Sequence, residues 1–154
     1  LILAKEGGLL LHASSVSDGG RGNVFFGPSG SGKTTIARLS QGRTVLTDEL
    51  ALIKPQNGRY QVYGTPFWGE FTPGRNNAHA ELGGLYSLKK DERNIIVPLD
   101  KVRAVMALYR CVLFFGIEIA LLRQVLDTCC ALVDLVPVYE LHFRPEPTFW
   151  QVVN

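Results

Sequence analysis

The feature that most constrains this chain is a glycine-rich segment at residues 27–35, which reads Gly-Pro-Ser-Gly-Ser-Gly-Lys-Thr-Thr. It satisfies the pattern G-x-x-x-x-G-K-[ST], in which glycines let backbone N–H groups turn inward onto phosphate oxygens. An apolar run at 24–26 precedes the segment and an amphipathic stretch at 36–39 follows it. This order predicts a strand, a phosphate-binding loop and a helix, and therefore an α/β fold.

Individual residues of the loop have expected roles. The helix N-terminus adds the positive end of its dipole, and Lys33 is expected to reach the β- and γ-phosphates. Thr34 is expected to offer its hydroxyl to Mg²⁺, which prefers hard oxygen ligands. The alternative is a glycine-rich hairpin turn without a ligand. The residues expected to contact the nucleotide are Gly27, Pro28, Ser29, Gly30, Ser31, Gly32, Lys33, Thr34 and Thr35.

Composition narrows the class of protein. The 154 residues are 46% hydrophobic and 19% charged, with a net charge of +2, as is typical of a globular domain. We therefore expect one domain spanning residues 1–154. Lys and Arg are scattered among Asp and Glu without a basic stripe, so we expect no nucleic-acid partner.

Neither the apolar stretches nor the cysteines indicate a membrane or an oxidising compartment. The longest apolar stretch, 104–122, contains Arg110 and Glu118, so we expect no membrane span. No cysteine stands in a C-x-x-C pair, which favours reduced thiols and a cytoplasmic location. The three cysteines are Cys111, Cys129 and Cys130.

Periodicity and turn signals predict the remaining elements. The apolar patterns indicate a mixed sheet with flanking helices, and the aperiodic segment 64–79 is predicted to be a long loop near the site. Helices are expected at 33–39, 99–113, 117–132 and 148–153. Strands are expected at 9–16, 23–26, 44–47, 50–54, 60–63, 85–88 and 138–143.

A carboxylate beyond the loop decides what chemistry is available. Asp48 directly follows the apolar strand 44–47, as a Walker-type aspartate does. At the end of a strand beside a phosphate loop, a carboxylate can reach Mg²⁺ or accept a proton. The alternative is that Asp48 only caps a turn.

Three segments together resemble a known nucleotide-binding core. Residues 11–15, 23–35 and 46–49 match, in order and spacing, the core shared by HPr kinase/phosphorylase and ATP-dependent phosphoenolpyruvate carboxykinase. The resemblance implies a carboxykinase-like P-loop fold that uses ATP or GTP with Mg²⁺. It also makes a homo-oligomer possible, because HPr kinases assemble into rings.

The resemblance also implies roles for three residues besides Lys33. His12 is similar to a carboxykinase histidine that meets a catalytic metal. Asp48 stands where HPr kinases have the base for a serine hydroxyl and a magnesium contact, and Glu49 replaces their second aspartate. Lys33, Asp48 and His12 are therefore the candidate catalytic residues, and Thr34 and Asp48 the candidate metal ligands.

The chain departs from both families in ways that limit the transfer of function. The HPr kinase signature E-x-R-G-x-G has only a remnant at 81–84, with Gly83 replacing the arginine and Tyr86 the last glycine. This argues against phosphorylase activity. The carboxykinases need a large substrate domain, for which 154 residues leave no room. We therefore also expect no carboxykinase activity.

Two residues of the long loop have an undecided standing. Arg75 could clamp the γ-phosphate or the acceptor, since a cation there would offset developing charge, but a solvated arginine is equally consistent with the sequence. Glu70 is ambiguous in the same way.

The first hypothesis for function is an ATP-dependent kinase that transfers the γ-phosphoryl group to a Ser or Thr hydroxyl of a protein or peptide. One alternative is a nucleotide-binding regulatory module without transfer. A small-molecule kinase is the third reading, although such enzymes need an arginine-rich lid, and after Gly64 only Arg75 and Arg93 precede the apolar helices.

Overall fold

A computed structural model describes residues 2–69, 77–114 and 116–153 of the chain. The described helices are α1 (Ile2–Lys5), α2 (Lys33–Arg38), α3 (Lys101–Tyr109), α4 (Ile119–Leu135) and, after a 3₁₀ turn at Pro147–Phe149, α5 (Trp150–Val153). The described strands are β1 (Leu9–Asp18), β2 (Arg21–Phe26), β3 (Thr44–Thr47), β4 (Leu50–Gln56), β5 (Arg59–Tyr63), β6 (His79–Lys90), β7 (Ile95–Pro98) and β8 (Val138–Phe143).

The described strands form one mixed sheet in the order β2-β1-β4-β5-β6-β8-β7, with β3 paired to β1 beside β4. β6 runs parallel to both β2 and β8, and the other pairs are antiparallel. Because β2 also pairs with β6, the strands β2, β1, β4, β5 and β6 close on one another. The predicted α/β class, a mixed sheet with flanking helices, is confirmed.

Two layers of apolar side chains cover the sheet. Side chains alternate across a strand, so Val24 and Phe26 point to one face and Phe25 to the other. Val24 and Phe26 pack in a cluster with residues of α3 and α4, whereas Phe25 packs with residues of α2 and α5. The helices therefore lie on both faces. Within the described ranges, no helix combines the length and apolar character needed to cross a membrane.

The boundaries of several elements differ from the sequence expectation. The helix predicted at 99–113 ends at Tyr109, because the following residues pair with β1 instead: His12 N–H donates to Cys111 O over 2.8 Å, and Leu113 N–H donates to Leu10 O over 2.8 Å. β6 is a 12-residue strand, His79–Lys90. It is therefore longer than the predicted strand 85–88 and begins at the last residue of the predicted loop 64–79. The strand β7 and the short helix α1 were not expected.

A histidine between two carboxylates joins β8 to the turn after β6. His142 Nδ1 lies 2.9 Å from Asp91 Oδ2, and His142 Nε2 lies 2.6 Å from Glu140 Oε1. The hydrogen bond from His142, helped by the backbone N–H of Glu92, lowers the pKa of Asp91.

This arrangement predicts an acid-dependent loss of stability. A carboxyl whose pKa is lowered by folding stabilises the protein above its unfolded pKa of about 4, and that contribution disappears as the pH falls through the lower folded value. We expect the difference in unfolding free energy between wild type and Asp91→Asn to be present at pH 5 and to shrink as the pH falls below about 4. Urea denaturation across that range measures it; a difference that stays constant to pH 3 contradicts the assignment.

Candidate functional site

The glycine-rich loop connects β2 to α2 and is tightly built. Gly30 and Gly32 have φ angles of +81° and +107°, which residues with a side chain rarely adopt. A Cβ on Gly27 would lie 2.6 Å from Ser31 Oγ. That oxygen is buried without a hydrogen-bond partner among the described residues. The loop therefore packs closely and leaves at least one polar atom unsatisfied.

Lys33, the first residue of α2, folds back over the start of the loop. Its Nζ donates hydrogen bonds to Gly27 O over 2.9 Å and to Pro28 O over 3.0 Å. Burial lowers the pKa of Lys33, against smaller opposing contributions from Cys111 and Glu49. The ammonium group thus lies where the loop begins, held by neutral carbonyl groups that a more strongly negative ligand can replace.

Gly32 is expected to tolerate no side chain. An alanine would adopt a φ of +107° and bring its Cβ within 2.6 Å of Phe143 Cζ, a buried ring. Backbone strain and overpacking together predict a loss of roughly 2–5 kcal/mol of stability for Gly32→Ala. Gly58→Ala is the matched control, because Gly58 has a φ of +76° but no atom lies within 4 Å of the place that its Cβ would take. Equal losses in urea denaturation would show that the contact with Phe143 is unimportant.

Asp48 and Glu49 occupy an interruption between β3 and β4. Both strands pair with β1, with Thr47 opposite Ser15 and Leu50 opposite His12, and the two acidic residues lie between these pairs. The backbone N–H groups of Glu49 and Leu50 donate to Thr47 Oγ1 over 3.2 and 3.3 Å. The Thr47 side chain therefore caps this turn. The alternative considered from the sequence was that Asp48 caps it.

The two carboxylates make different contacts. Asp48 is fully buried, and its Oδ1 accepts a hydrogen bond from Gly69 N–H over 2.7 Å. Glu49 is partly exposed, and its Oε1 lies 3.0 Å from His12 Nε2. A Cβ on Gly69 would lie 3.0 Å from Asp48 Oδ2 and 2.9 Å from Glu49 Oε2, so both groups converge beside Gly69.

These groups line a cavity of about 380 Å³, here called the loop cavity. One side is formed by Ser29, Gly30, Gly32, Lys33, Thr34 and Thr35, and the other carries His12, Asp48 and Glu49. The structure thus brings together most of the residues singled out from the sequence. Gly27 and Pro28 line a neighbouring cavity instead. Glu70 and Arg75 lie outside the described residues.

Sequence reasoning missed two residues of the loop cavity, Gly69 and Lys90. Lys90 ends β6, which runs parallel to β2 with Ser87 beside Phe26, so both strands end at the same edge as the loop. No local pattern reveals a parallel pairing between distant segments. A lysine ending a long apolar strand was the one available signal.

The remnant of the E-x-R-G-x-G signature at 81–84 lies away from the loop cavity. Glu81 pairs in register with Arg21 at the start of β2, whereas the loop follows Phe26 at its end. Five strand residues separate these points by about 17 Å. Arg59 binds Glu81 over 2.8 Å, and Arg21 donates to Gly83 O over 2.8 Å. These two contacts link β5 and β2 to β6, so the remnant has a structural role.

The donor set suits one kind of metal ion. Across the described ranges, no cluster of three or more His, Cys, Asp or Glu side chains is placed to hold a metal. The cavity instead offers hard oxygen atoms from Thr34, Asp48 and Glu49. Mg²⁺ is commonly held by one or two such side chains together with substrate phosphates, so these residues fit Mg²⁺ bound jointly with a phosphate ligand.

Comparisons with known proteins place the chain in a family. Among solved structures, it is similar to the HPr(Ser) kinase/phosphatase from Coxiella burnetii, with 14% identity, a TM-score of 0.43, and coverage of 81% of this chain and 88% of that one. No curated protein matches the chain. The family model described as SynChlorMet cassette protein ScmC matches residues 1–154. Because that match extends over all 154 residues, the chain belongs to the SynChlorMet cassette protein ScmC family.

Proposed function

We propose that the chain is a Mg²⁺-dependent kinase that transfers the γ-phosphoryl group of ATP or GTP to a Ser or Thr hydroxyl of a protein or peptide. The observation that carries the proposal is the loop cavity, where Lys33 and the glycine-rich loop face Asp48, Glu49 and His12. The motif resemblance to the HPr kinase and carboxykinase core supports the same activity.

The loop residues have complementary tasks in binding. Backbone N–H groups of the loop hold phosphate oxygens, and Lys33 exchanges its contacts with Gly27 O and Pro28 O for the more negative phosphate. Thr34 and Asp48 would hold Mg²⁺, which would supply charge neutralisation at the phosphates. Lys90 adds a second cation to the cavity wall.

The transfer step needs no reactant besides the nucleotide and the acceptor hydroxyl. The acceptor oxygen forms a bond to the γ-phosphorus while the bond to the bridging oxygen breaks, and the nucleoside diphosphate leaves with that electron pair. The hydroxyl proton passes to the carboxylate of Asp48. Catalysis is then largely positioning and charge stabilisation, as a loose phosphoryl-transfer transition state requires.

A second candidate is a nucleotide-binding regulatory module that transfers nothing. One observation favours it: the cationic side chains that line the loop cavity in the described residues are lysines, Lys33 and Lys90, without an arginine. Arginine often supplies the last part of the charge stabilisation in phosphoryl transfer.

We further propose that residues 1–154 act as one domain in the cytoplasm. The free thiols of Cys111, Cys129 and Cys130 favour a reducing compartment.

Labelled transfer separates the two candidates. The protein is incubated with Mg²⁺ and γ-labelled ATP or GTP, together with a degenerate peptide library containing one Ser or Thr, and nucleotide binding is measured in parallel by calorimetry. Label in the peptides supports the kinase. Binding without label supports the regulatory module, and absence of binding contradicts both.

A further inference from the structure

A second, larger cavity of about 660 Å³ adjoins the loop cavity and is here called the apolar cavity. Its walls include the apolar side chains of Phe26, Leu50, Val112 and Leu113, together with Arg110 at the end of α3. Ligand pockets span about 300–1,000 Å³ and are mostly apolar with a few polar groups, so this cavity has the size and lining of a binding site.

The apolar cavity adjoins the loop cavity near the ammonium group of Lys33. The two cavities share His12, Ser29 and Glu49, and the apolar cavity also contacts Gly27 and Pro28, whose carbonyls hold Lys33 Nζ. In a phosphate loop the lysine marks the β/γ end of the nucleotide. A ligand in the apolar cavity therefore lies next to the phosphate that would be transferred.

The wall that carries Arg110 is fixed in place by β1. Leu11 and Val112 form an isolated antiparallel bridge, with hydrogen bonds from His12 N–H to Cys111 O and from Leu113 N–H to Leu10 O. This pairing anchors the end of α3 beside the loop. It explains why the chain leaves the helix there despite an apolar pattern that favours its continuation.

The charges of the apolar cavity favour an acidic ligand. Burial raises the pKa of Cys111, so this thiol is neutral near pH 7. Glu49, the carboxylate of the described lining, lies at the edge shared with the loop cavity, where its Oε1 is 3.0 Å from His12 Nε2. Arg110 forms no ion pair with any residue in the described ranges, so its guanidinium is the cation available to a ligand. A guanidinium matches a carboxylate through two parallel hydrogen bonds.

We propose that the apolar cavity is the acceptor site and that it takes a peptide whose Ser or Thr is flanked by an apolar and an acidic side chain. The apolar side chain fills the cavity, the acidic one binds Arg110, and the hydroxyl reaches the edge shared with the loop cavity. This inference rests on the proposed function, since it names the acceptor of that same site.

Three synthetic peptides test the chemistry, each with a single serine and symmetric flanks so that the direction of binding does not matter. Their cores are Asp-Leu-Ser-Leu-Asp, Lys-Leu-Ser-Leu-Lys and Asp-Gly-Ser-Gly-Asp, each labelled with fluorescein. Binding to the full chain is measured by fluorescence polarisation, with Mg²⁺ and a non-hydrolysable ATP analogue and again without nucleotide. We expect the first peptide to bind roughly tenfold or more tightly than either of the others.

Variants tie the preference to the cavity. Arg110→Gln is expected to remove the distinction between the aspartate and lysine peptides, and Ala107→Phe, which fills the cavity, to remove that between leucine and glycine. Arg103→Gln is the control, because Arg103 lies on the same helix, exposed beside Asp100 and outside the cavity lining. It should bind the peptides like wild type.

Each result bears on one proposal. Absence of peptide binding, or the same preference in Arg110→Gln as in wild type, overturns the acceptor site even if nucleotide binding and labelled transfer persist. If the peptides bind with the expected preference but nucleotide binding and transfer are absent, the site stands as a peptide site and the kinase proposal fails.

Discussion

Replacement of Lys33 with methionine is expected to weaken Mg-nucleotide binding by about 100-fold, because the variant keeps the apolar stem and removes only the ammonium group that meets the phosphates. Lys33 Nζ lies at the start of the loop, bonded to Gly27 O and Pro28 O, and so at the place where the phosphates are expected. Isothermal titration calorimetry with Mg-ATP and Mg-GTP measures the effect.

The variant also loses two hydrogen bonds within the loop, so its folding needs its own measurement. Leaving two carbonyl groups without a donor costs about 1–3 kcal/mol each at most, which circular dichroism with urea detects separately from binding. Lys89→Met is the matched control, since Lys89 is an exposed lysine of β6 outside the lining of the loop cavity and should leave binding unchanged. Nucleotide affinity unchanged in a folded Lys33→Met variant would contradict the assigned role.

The second large effect is expected from Asp48→Asn. An asparagine can keep the hydrogen bond that Asp48 Oδ1 accepts from Gly69 N–H, and so preserve the local fold while removing the charge and the basic oxygen. We expect labelled transfer to fall by about 10³-fold, because a positioned proton acceptor contributes 10²–10⁴-fold and the metal contact is lost with it. Initial rates with saturating nucleotide measure the effect.

Two further variants sharpen the interpretation. Asp134→Asn is the control, since Asp134 pairs with Lys101 on the exposed surface of α4 and should leave transfer unchanged. Glu49→Gln tests the neighbouring carboxylate, which is bonded to His12. If Glu49→Gln loses transfer and Asp48→Asn keeps it, the proton passes to the His12-bonded carboxylate and the role given to Asp48 is wrong.

Local sequence signals predicted the part of the site that local structure builds. The loop between β2 and α2 was predicted because a glycine pattern, a preceding apolar strand and a following helix all lie within residues 21–38. Asp48 was predicted to follow a strand, and it does. Its contact with Gly69 was not predicted, because it depends on how residues 64–69 return to the turn.

Long-range pairing explains the remaining misses. Lys90 reaches the loop cavity only because β6 lies parallel to β2, and Arg110 faces the apolar cavity only because residues 111–113 pair with β1. In both cases tertiary hydrogen bonding, rather than local propensity, decides where the chain goes. The pattern of apolar residues at 99–113 favoured one long helix. Residues 111–113 instead form backbone hydrogen bonds with β1.

We expect the glycine-rich loop and the turn at Asp48 together to bind the phosphates of a Mg-nucleotide. A crystal structure of the chain with Mg²⁺ and a non-hydrolysable ATP analogue tests this most directly. We expect the phosphates on the backbone of residues 27–35, with Lys33 Nζ on the terminal phosphate and Mg²⁺ between Thr34 Oγ1 and Asp48. A nucleotide bound elsewhere, or phosphates on the loop with Asp48 remote from the metal, would contradict it.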